Sequence, residues 1–555
     1  MSGGVDTNNK QEFLIETDVL IVGYGPIGAA VAALLGKYGI ATTVIDRAKG
    51  ILNMPRAVGM DNEGLRIVQM AGLSDTAFET FCVNKTRMIS QHFGEFAQFN
   101  MSGVVNGHAR QVMYFQPELE KALRAQVKGY ENISVLHETE LLSLNDNGQS
   151  VRANICSKQR GQGQIQAKYV VGADGASSTV RKILGIEFEG KSYAENWLIV
   201  DAKNLPEMND HIDFYCGSNR PGPHLPGAGD RQRWEFMLTA DDCVDEMEKP
   251  ERIKELLSPW GDPALMEIER QAVYQFHARS CQQFSKGRVF LVGDAAHITP
   301  PFLGQGLVAG LRDAANLSWK LAWVLKGIAA PCILDSYDEE RRPHAIHMIK
   351  LAKFLGFFIR PASELQAKLA HGAVRAIRLI PPVKAYVDGA KLKPEHHFSS
   401  GLFVKSKKRF GMHRVGAKPG ELFPQALVRN SIGKTLMSDD ALGEHLSIVG
   451  LGVDPHEHLS IQDIERWQSM GGNFLKISQR SQHGDTESYM FEDLTGDFIP
   501  DAAHFGKVLV VRPDRAVVTS GDVKDISGMI ETTQQLLMDG CNNKSMFRKI
   551  YEKVA

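Results

Sequence analysis

The stretch Val19-Leu-Ile-Val-Gly23-Tyr-Gly25-Pro-Ile-Gly28 constrains the fold of this chain more than any other. An apolar run from Thr17 to Val22, an Ala- and Leu-rich run from Ile27 to Tyr38, and a β-branched run from Ala41 to Ile45 predict strand, helix, strand. The glycines let the chain turn tightly and bring the helix N-terminus, with its free amides and partial positive charge, against a pyrophosphate. Asp46 ends the second strand, where a carboxylate can accept ribose hydroxyls, and Arg47 beside it joins the expected cofactor contacts. Glycines alone would also fit an ordinary strand-to-helix turn. The flanking elements and Asp46 favour a dinucleotide.

Two later segments extend this site. Val170-Val-Gly-Ala-Asp174-Gly175-Ala-Ser-Ser-Thr-Val-Arg181 places an acid at a strand end before a glycine turn and a helix start, although Ser177, Ser178 or Thr179 could simply cap that helix. The run from Arg288 through Gly293-Asp294, Gly304-Gln305-Gly306 and Gly310 is more specific. Asp294 can take a ribityl hydroxyl, and the Gly304 to Gly306 turn opens a long helix whose N-terminal amides can stabilise negative charge on a reduced isoalloxazine ring. The three segments together predict one FAD site.

The rest of the chain suggests an α/β protein of several domains, because 555 residues exceed what one core usually supports. We expect a Rossmann-like FAD-binding domain in two parts, 12–189 and 280–345, with an inserted β-sheet substrate domain at 190–279. The inserted stretch has alternating segments at Trp197 to Asp201 and Trp234 to Thr239. A helical connector over 346–400 follows, broken at Pro361 and Pro381-Pro382, and then a small α/β domain over 401–555. Its strands are expected at Leu446 to Val449, Phe474 to Ile477 and Val508 to Val511, and its helices at Asp463 to Met470 and Ile526 to Met538. With 63 basic against 65 acidic side chains, no sustained field would recruit nucleic acid or an anionic membrane. Seven cysteines without a close pair fit neither a disulfide framework nor a metal site, and a cytoplasmic setting is expected. No apolar run approaches the ~18 residues of a membrane span.

The three motifs resemble those of the group A flavoprotein aromatic hydroxylases, over roughly residues 15 to 350. Within that family the 3-(3-hydroxyphenyl)propionate hydroxylase type is the nearest likeness, from Pro55-Arg-Ala-Val-Gly-Met-Asp61-Asn-Glu-Gly-Leu-Arg66, Arg233-Trp-Glu-Phe-Met, Gly304-Gln-Gly-Leu and Val510-Val-Arg-Pro-Asp-Arg515. Val308 and Ala309 depart from it, standing where many relatives carry Asn and a small residue. The resemblance implies hydroxylation of a phenolic or aromatic acid through a flavin hydroperoxide, with FAD as cofactor and NADH or NADPH and O2 as co-substrates. It implies that Asp174 serves both FAD and nicotinamide, that Asp294, Arg56 and Gln116 contact FAD, and that Pro300 lies beside the reactive flavin carbon. The C-terminal part resembles the thioredoxin-like domain of phenol hydroxylases, yet holds only Cys541, so it is expected to support structure or a homodimer contact rather than redox chemistry.

A base near the substrate hydroxyl would help the ring attack. Asp61 matches such an acid by resemblance, and could equally cap the helix beginning near Glu63. His297 could face the site or be a satisfied histidine at a strand end. His277 and Arg279 could bind a substrate carboxylate or merely pack on a sheet, and Trp234 is taken as a further substrate contact. A halogenase would show a Trp-x-Trp-x-Ile-Pro segment and a disulfide reductase a close cysteine pair, and neither is present. A flavin oxidase or dehydrogenase without oxygen insertion, and a non-enzymatic binding module with structural FAD, remain the alternatives.

Overall fold

A computed structural model describes residues 13–54, 56–205, 209–389, 397–404, 418–480, 487–500 and 504–540. Pro55 and Cys541, both named above, lie outside the described residues. The first sheet has a parallel core of Ile133–Leu136, Thr42–Ile45, Phe13–Val22, Gly161–Gly172 and Val289–Leu291, in that spatial order. These five strands come from widely separated parts of the chain, as the scattered motifs require. Val19 to Ile21, Val44 and Ile45 are fully buried, because helices Pro26–Lys37 and Gly306–Leu325 cover the sheet. Gly161–Gly172 then continues into an antiparallel meander with Val151–Ser157 and Thr139–Asp146.

The second sheet stands on two long strands, Phe188–Lys203 and Glu267–Cys281, which leave the first domain and return to it. Arg231–Met237, Gly222–Pro226 and Ile212–Cys216 follow outward. Two further strands, Lys85–Ser90 and Gly94–Asn100, extend this sheet through parallel pairing of Ile212–Cys216 with Lys85–Ser90, and His297–Ile298 pairs with Glu267–Cys281 at the other edge. These residues fall within 12–189, the span expected for the cofactor domain, because local alternation carries no information about a partner more than a hundred residues away. Helices Asp335–Ile359, Glu364–Ile377 and Pro381–Asp388 follow, broken at the prolines.

In the C-terminal sheet, Leu446–Leu451 and Gly472–Ser478 are parallel and joined by helix Ile461–Ser469. Lys507–Val511 and Val517–Asp522 form an antiparallel hairpin against the other side of Leu446–Leu451, before helix Ile526–Asp539. A βαβ unit followed by a ββα unit around one central strand pair is the thioredoxin-like arrangement. This module does not stand apart. Trp467, Ile530 and Leu536 belong to the same buried cluster as Leu20 and Leu321.

Buried ion pairs fix its seat. Arg512 donates to Glu340 at 2.7 and 2.9 Å and to Asp514 at 2.9 and 2.5 Å, while Lys320 of helix Gly306–Leu325 donates to Glu340 at 2.8 Å. Burial raises the Glu340 carboxyl, but Arg512 and Lys320 outweigh it and hold that carboxyl far below its usual range. A second bidentate pair joins Arg66 to Asp439, both bonds at 2.7 Å. The Val510 to Arg515 segment is therefore a docking element. Arg512→Ala would leave Glu340 and Asp514 buried without their shared cation, and should cost about 3–5 kcal/mol, seen as a lower urea midpoint of unfolding.

Candidate active site

The first motif builds one end of a cavity of about 740 Å³. Gly23 has φ +101°, and a Cβ there would lie 2.5 Å from the Ala173 carbonyl oxygen, so glycine is required where the first and second motifs touch. Gly25 differs. Its backbone is ordinary, at φ −71° and ψ −173°, and a Cβ would meet nothing within 4 Å. It begins helix Pro26–Lys37, whose first turn has neither a side-chain cap nor an acidic residue. The amides of that turn therefore stay available to an anion. Tyr24 N and Ala48 N donate to the two oxygens of Asp46, at 2.6 and 2.7 Å, which aims a carboxylate that also lines the cavity.

The other motifs meet the same space. Asp294 lines it, and burial raises its carboxyl while His297 and Arg56 oppose the rise. Gly304, at φ +63°, and Gly306 would each carry a Cβ into open space at the start of helix Gly306–Leu325. Gln116 Oε1 accepts from Arg56 N and Ala57 N, both at 2.9 Å, and Gln116, Arg47 and Arg56 line the cavity. Asp174 lines it too, but accepts from Ser178 Oγ, Thr179 N and Val180 N at 2.5, 2.6 and 3.0 Å, so it also shapes its own loop. Gly28, Gly293 and Arg181 stand behind the lining. A Cβ on Gly28 would strike Gly23 O, Gly293 N donates to Asp313, and Arg181 ties Ala176 O to Ala295 O.

Beyond the glycine turns the wall comes mainly from the second sheet. Met88, Phe214 and Leu225 of that sheet, with Met113 of the separate strand Gln111–Tyr114, make it apolar, and Arg233 and Glu235 interrupt it. Arg233 donates to Asp201 at 2.6 and 2.8 Å and to the Arg56 carbonyl at 2.8 Å. Glu235 is 7 % exposed, and burial pushes its carboxyl up to about 7 against the pull of Arg233.

The profile of the FAD binding domain family matches residues 16–352, and that of the HcaD C-terminal domain matches 420–536. A 3-(3-hydroxy-phenyl)propionate/3-hydroxycinnamic acid hydroxylase of Burkholderia vietnamiensis is 34% identical over 92% of this chain and 95% of its own length. The chain belongs to the group A flavoprotein hydroxylases. The enzyme of the same name from Comamonas testosteroni is 30% identical over 94% of this chain and 97% of itself. Among solved structures, the flavin-dependent monooxygenase PieE with FAD and substrate aligns at TM-score 0.77 and 20% identity, covering 94% of this chain and 99% of that one. Aklavinone-11 hydroxylase with FAD and aklavinone aligns at 0.71 and 21%, with the same coverage.

The residues present suit FAD as this flavoprotein hydroxylase would need to hold it. An uncapped helix end suits the pyrophosphate, Asp46 suits the ribose, and two glycines leave room at a second helix end. The size lies within the usual ligand-pocket range of about 300–1,000 Å³.

Several residues expected at the site are turned elsewhere. Asp61 is buried outside the lining. It caps helix Asn62–Met70 through Gly64 N at 3.0 Å, accepts from Gln305 Nε2 at 2.8 Å and pairs with Arg312 at 3.6 Å. Capping describes its position, and Gln305 is consumed by the same cluster, also taking a bond from Arg312 at 3.1 Å. His297 is buried and donates to Asp313 at 2.7 Å, the satisfied histidine of the two readings. Pro300 is set back, and its neighbour Pro301 lines the cavity. His277 and Arg279 share Ser192 Oγ, at 2.9 and 2.8 Å, away from the lining. Trp234 faces the opposite side of its strand, stacked on His224 at 4.7 Å and packed with Leu198 and Phe236.

Strand alternation explains that last reversal. If Trp234 packs behind the sheet, Arg233 and Glu235 must face the cavity. The quoted Arg-Trp-Glu triplet carried this signal, but its facing depends on helix Pro250–Leu257, whose Ile253 and Leu257 cover the Trp234 side. Glu120 and Arg124, an ion pair at 2.6 Å, also line the cofactor end, and only the (i, i+4) spacing of helix Gln116–Lys128 hinted at them. The glycines give a contrast for experiment. Gly25→Val should fold and lose FAD, because no described atom lies within 4 Å of a Cβ there, whereas Gly23→Val should fail to fold. The ratio of flavin absorbance to protein, with circular dichroism, checks both.

Proposed function

We propose that this enzyme hydroxylates the ring of a phenol carrying a short acidic chain, of the 3-(3-hydroxyphenyl)propionate kind, at the expense of NADH or NADPH and O2. The observation that carries the reading is one continuous cavity, running from the uncapped helix end at Gly25 and Asp46 to the apolar wall of Met88, Met113, Phe214 and Leu225. Such a space brings a dinucleotide cofactor and an apolar ring into one enclosure. The names of the relatives that match over nine-tenths of the chain supply the substrate class.

In this reading the amides after Gly25 take the pyrophosphate, Asp46 the ribose, and Asp294 a ribityl hydroxyl. Arg47, Arg56 and Gln116 flank the cofactor, and the helix end at Gly306 favours negative charge on the ring system. FAD, when bound, supplies the hydride acceptance and oxygen chemistry that side chains lack. The protein's part is to orient the phenol and keep water from it. Met88, Met113 and Phe214 do the second by lining the ring end with carbon.

The same reading takes the enzyme to be cytoplasmic and homodimeric. The six described cysteines are all free, which supports the first. Leu365, Leu369 and Leu379 stand more than two-thirds or close to two-thirds exposed on the helical connector, at 68%, 67% and 82%, which supports the second. Nicotinamide oxidation by the holoenzyme should accelerate with 3-(3-hydroxyphenyl)propionate, and the product should gain one labelled atom from labelled dioxygen. Product without label would replace the reading with that of a dehydrogenase.

A further inference from the structure

We propose that Glu235 holds the ring hydroxyl of the substrate and takes its proton as the ring attacks, a role that rests on the hydroxylase reading above. Glu235 lies on strand Arg231–Met237, which exposes alternate residues to the cavity and buries the others behind the sheet. Its carboxylate receives no hydrogen bond from any described residue, although only 7 % of the residue is exposed. A carboxylate so buried is costly unless a partner reaches it. The cavity is the side from which a partner can come.

The neighbouring charges determine what kind of partner that is. Arg233 is committed to Asp201 and to the Arg56 carbonyl, and Arg270 approaches Asp201 at 3.5 Å. These are the charged groups that act on Glu235, from its own strand and from strands Phe188–Lys203 and Glu267–Cys281. An anionic substrate tail set against Glu235 would face a like charge. A neutral hydroxyl donates to it without that penalty. The acidic chain of the substrate therefore points away from this strand, and the hydroxyl points toward it.

The chemistry balances as a proton transfer. The phenol O–H bond breaks, the proton passes to a Glu235 oxygen, and the electron pair left on the phenol oxygen raises the electron density of the ring. The same proton returns when the hydroxylated ring regains its aromatic form. Burial pushes the Glu235 carboxyl up to about 7, so the group exchanges a proton readily near neutrality. The ionised form is the base, and activity is therefore lost as the pH falls through that value.

Glu235→Gln keeps the size and the hydrogen-bonding reach but removes the base. With FAD retained, its hydroxylation kcat/KM should fall about 10²-fold or more, and the acid limb expected near 7 in the wild type should be absent. A second readout needs no turnover. 4-Nitrophenol bound to the holoenzyme reports its own ionisation by absorbance, and without the opposing carboxylate it should ionise about one pH unit lower in Glu235→Gln than in the wild type. Labelled product from the wild type, with rate and acid limb unchanged in the variant, would overturn the role of Glu235 and leave the hydroxylase reading standing. Absence of labelled product from the wild type would remove the hydroxylase reading. In that case the nitrophenol titration decides the contact, and equal ionisation in the two proteins, or no binding to the wild type, overturns it.

Discussion

Asp313, fully buried in the long helix Gly306–Leu325, is the interaction on which the cofactor wall depends. It accepts from Gly293 N at 2.9 Å, from His297 Nε2 at 2.7 Å and from Arg341 Nε at 2.8 Å. Burial alone would raise its carboxyl, yet His297 and Arg341 prevail and keep it below the usual carboxylate range. One side chain thus fixes the turn at Gly293, the strand at His297 and helix Asp335–Ile359 against the helix that opens at Gly306. The preceding residue, Arg312, does the same for Asp61, Glu63 and Gln305. Two adjacent charges hold the glycine turns in place from behind, so the residues in front are free to meet a ligand.

That division explains how much of the site was legible in the sequence. Gly23, Gly25, Asp46 and Asp294 could be read because their demands are local: a positive φ, an open helix end, a carboxylate at a strand terminus. Asp61, Gln305 and His297 lie in or beside the same motifs and looked equivalent. Which way they point is set by Arg312 and Asp313, two and three residues past Gly310, and no local pattern separates them. The facing of Arg233 and Glu235 was likewise hidden, because strand alternation fixes a pair of faces and only the packing of Trp234 against Ile253 and Leu257 says which is inner. The folds were legible to the extent that strands and helices are local. The joining of Lys85–Ser90 to Ile212–Cys216 was not.

The same long helix carries the link to the C-terminal module. Asn316 and Lys320 follow Arg312 and Asp313 along it, and both bond Glu340. Arg512 and Asp514 reach this group from the far domain, and Arg515 bonds the Asp439 and Gly443 carbonyls beneath it. The likeness to a thioredoxin-like domain thus has a structural use here that requires no dithiol. A βαβ and ββα core presents the turn between two hairpin strands as a rigid edge, and that edge inserts its charges between two helices of the cofactor domain.

Why charges should serve at this interface, when an apolar one would bury more cheaply, follows from geometry. Apolar contacts are non-directional and accept many registers, whereas a guanidinium bonded bidentately to a carboxylate accepts one. Arg512 with Glu340, and Arg66 with Asp439, fix two separated points of the module on the cofactor domain, which determines its orientation as well as its position. Arg66 lies on the helix that Asp61 caps, and Glu340 on the helix that Arg341 ties to Asp313. The two anchors therefore close on the same pair of elements that brace the glycine turns, and the C-terminal module restrains the back of the cofactor wall while none of its described residues lines the cavity.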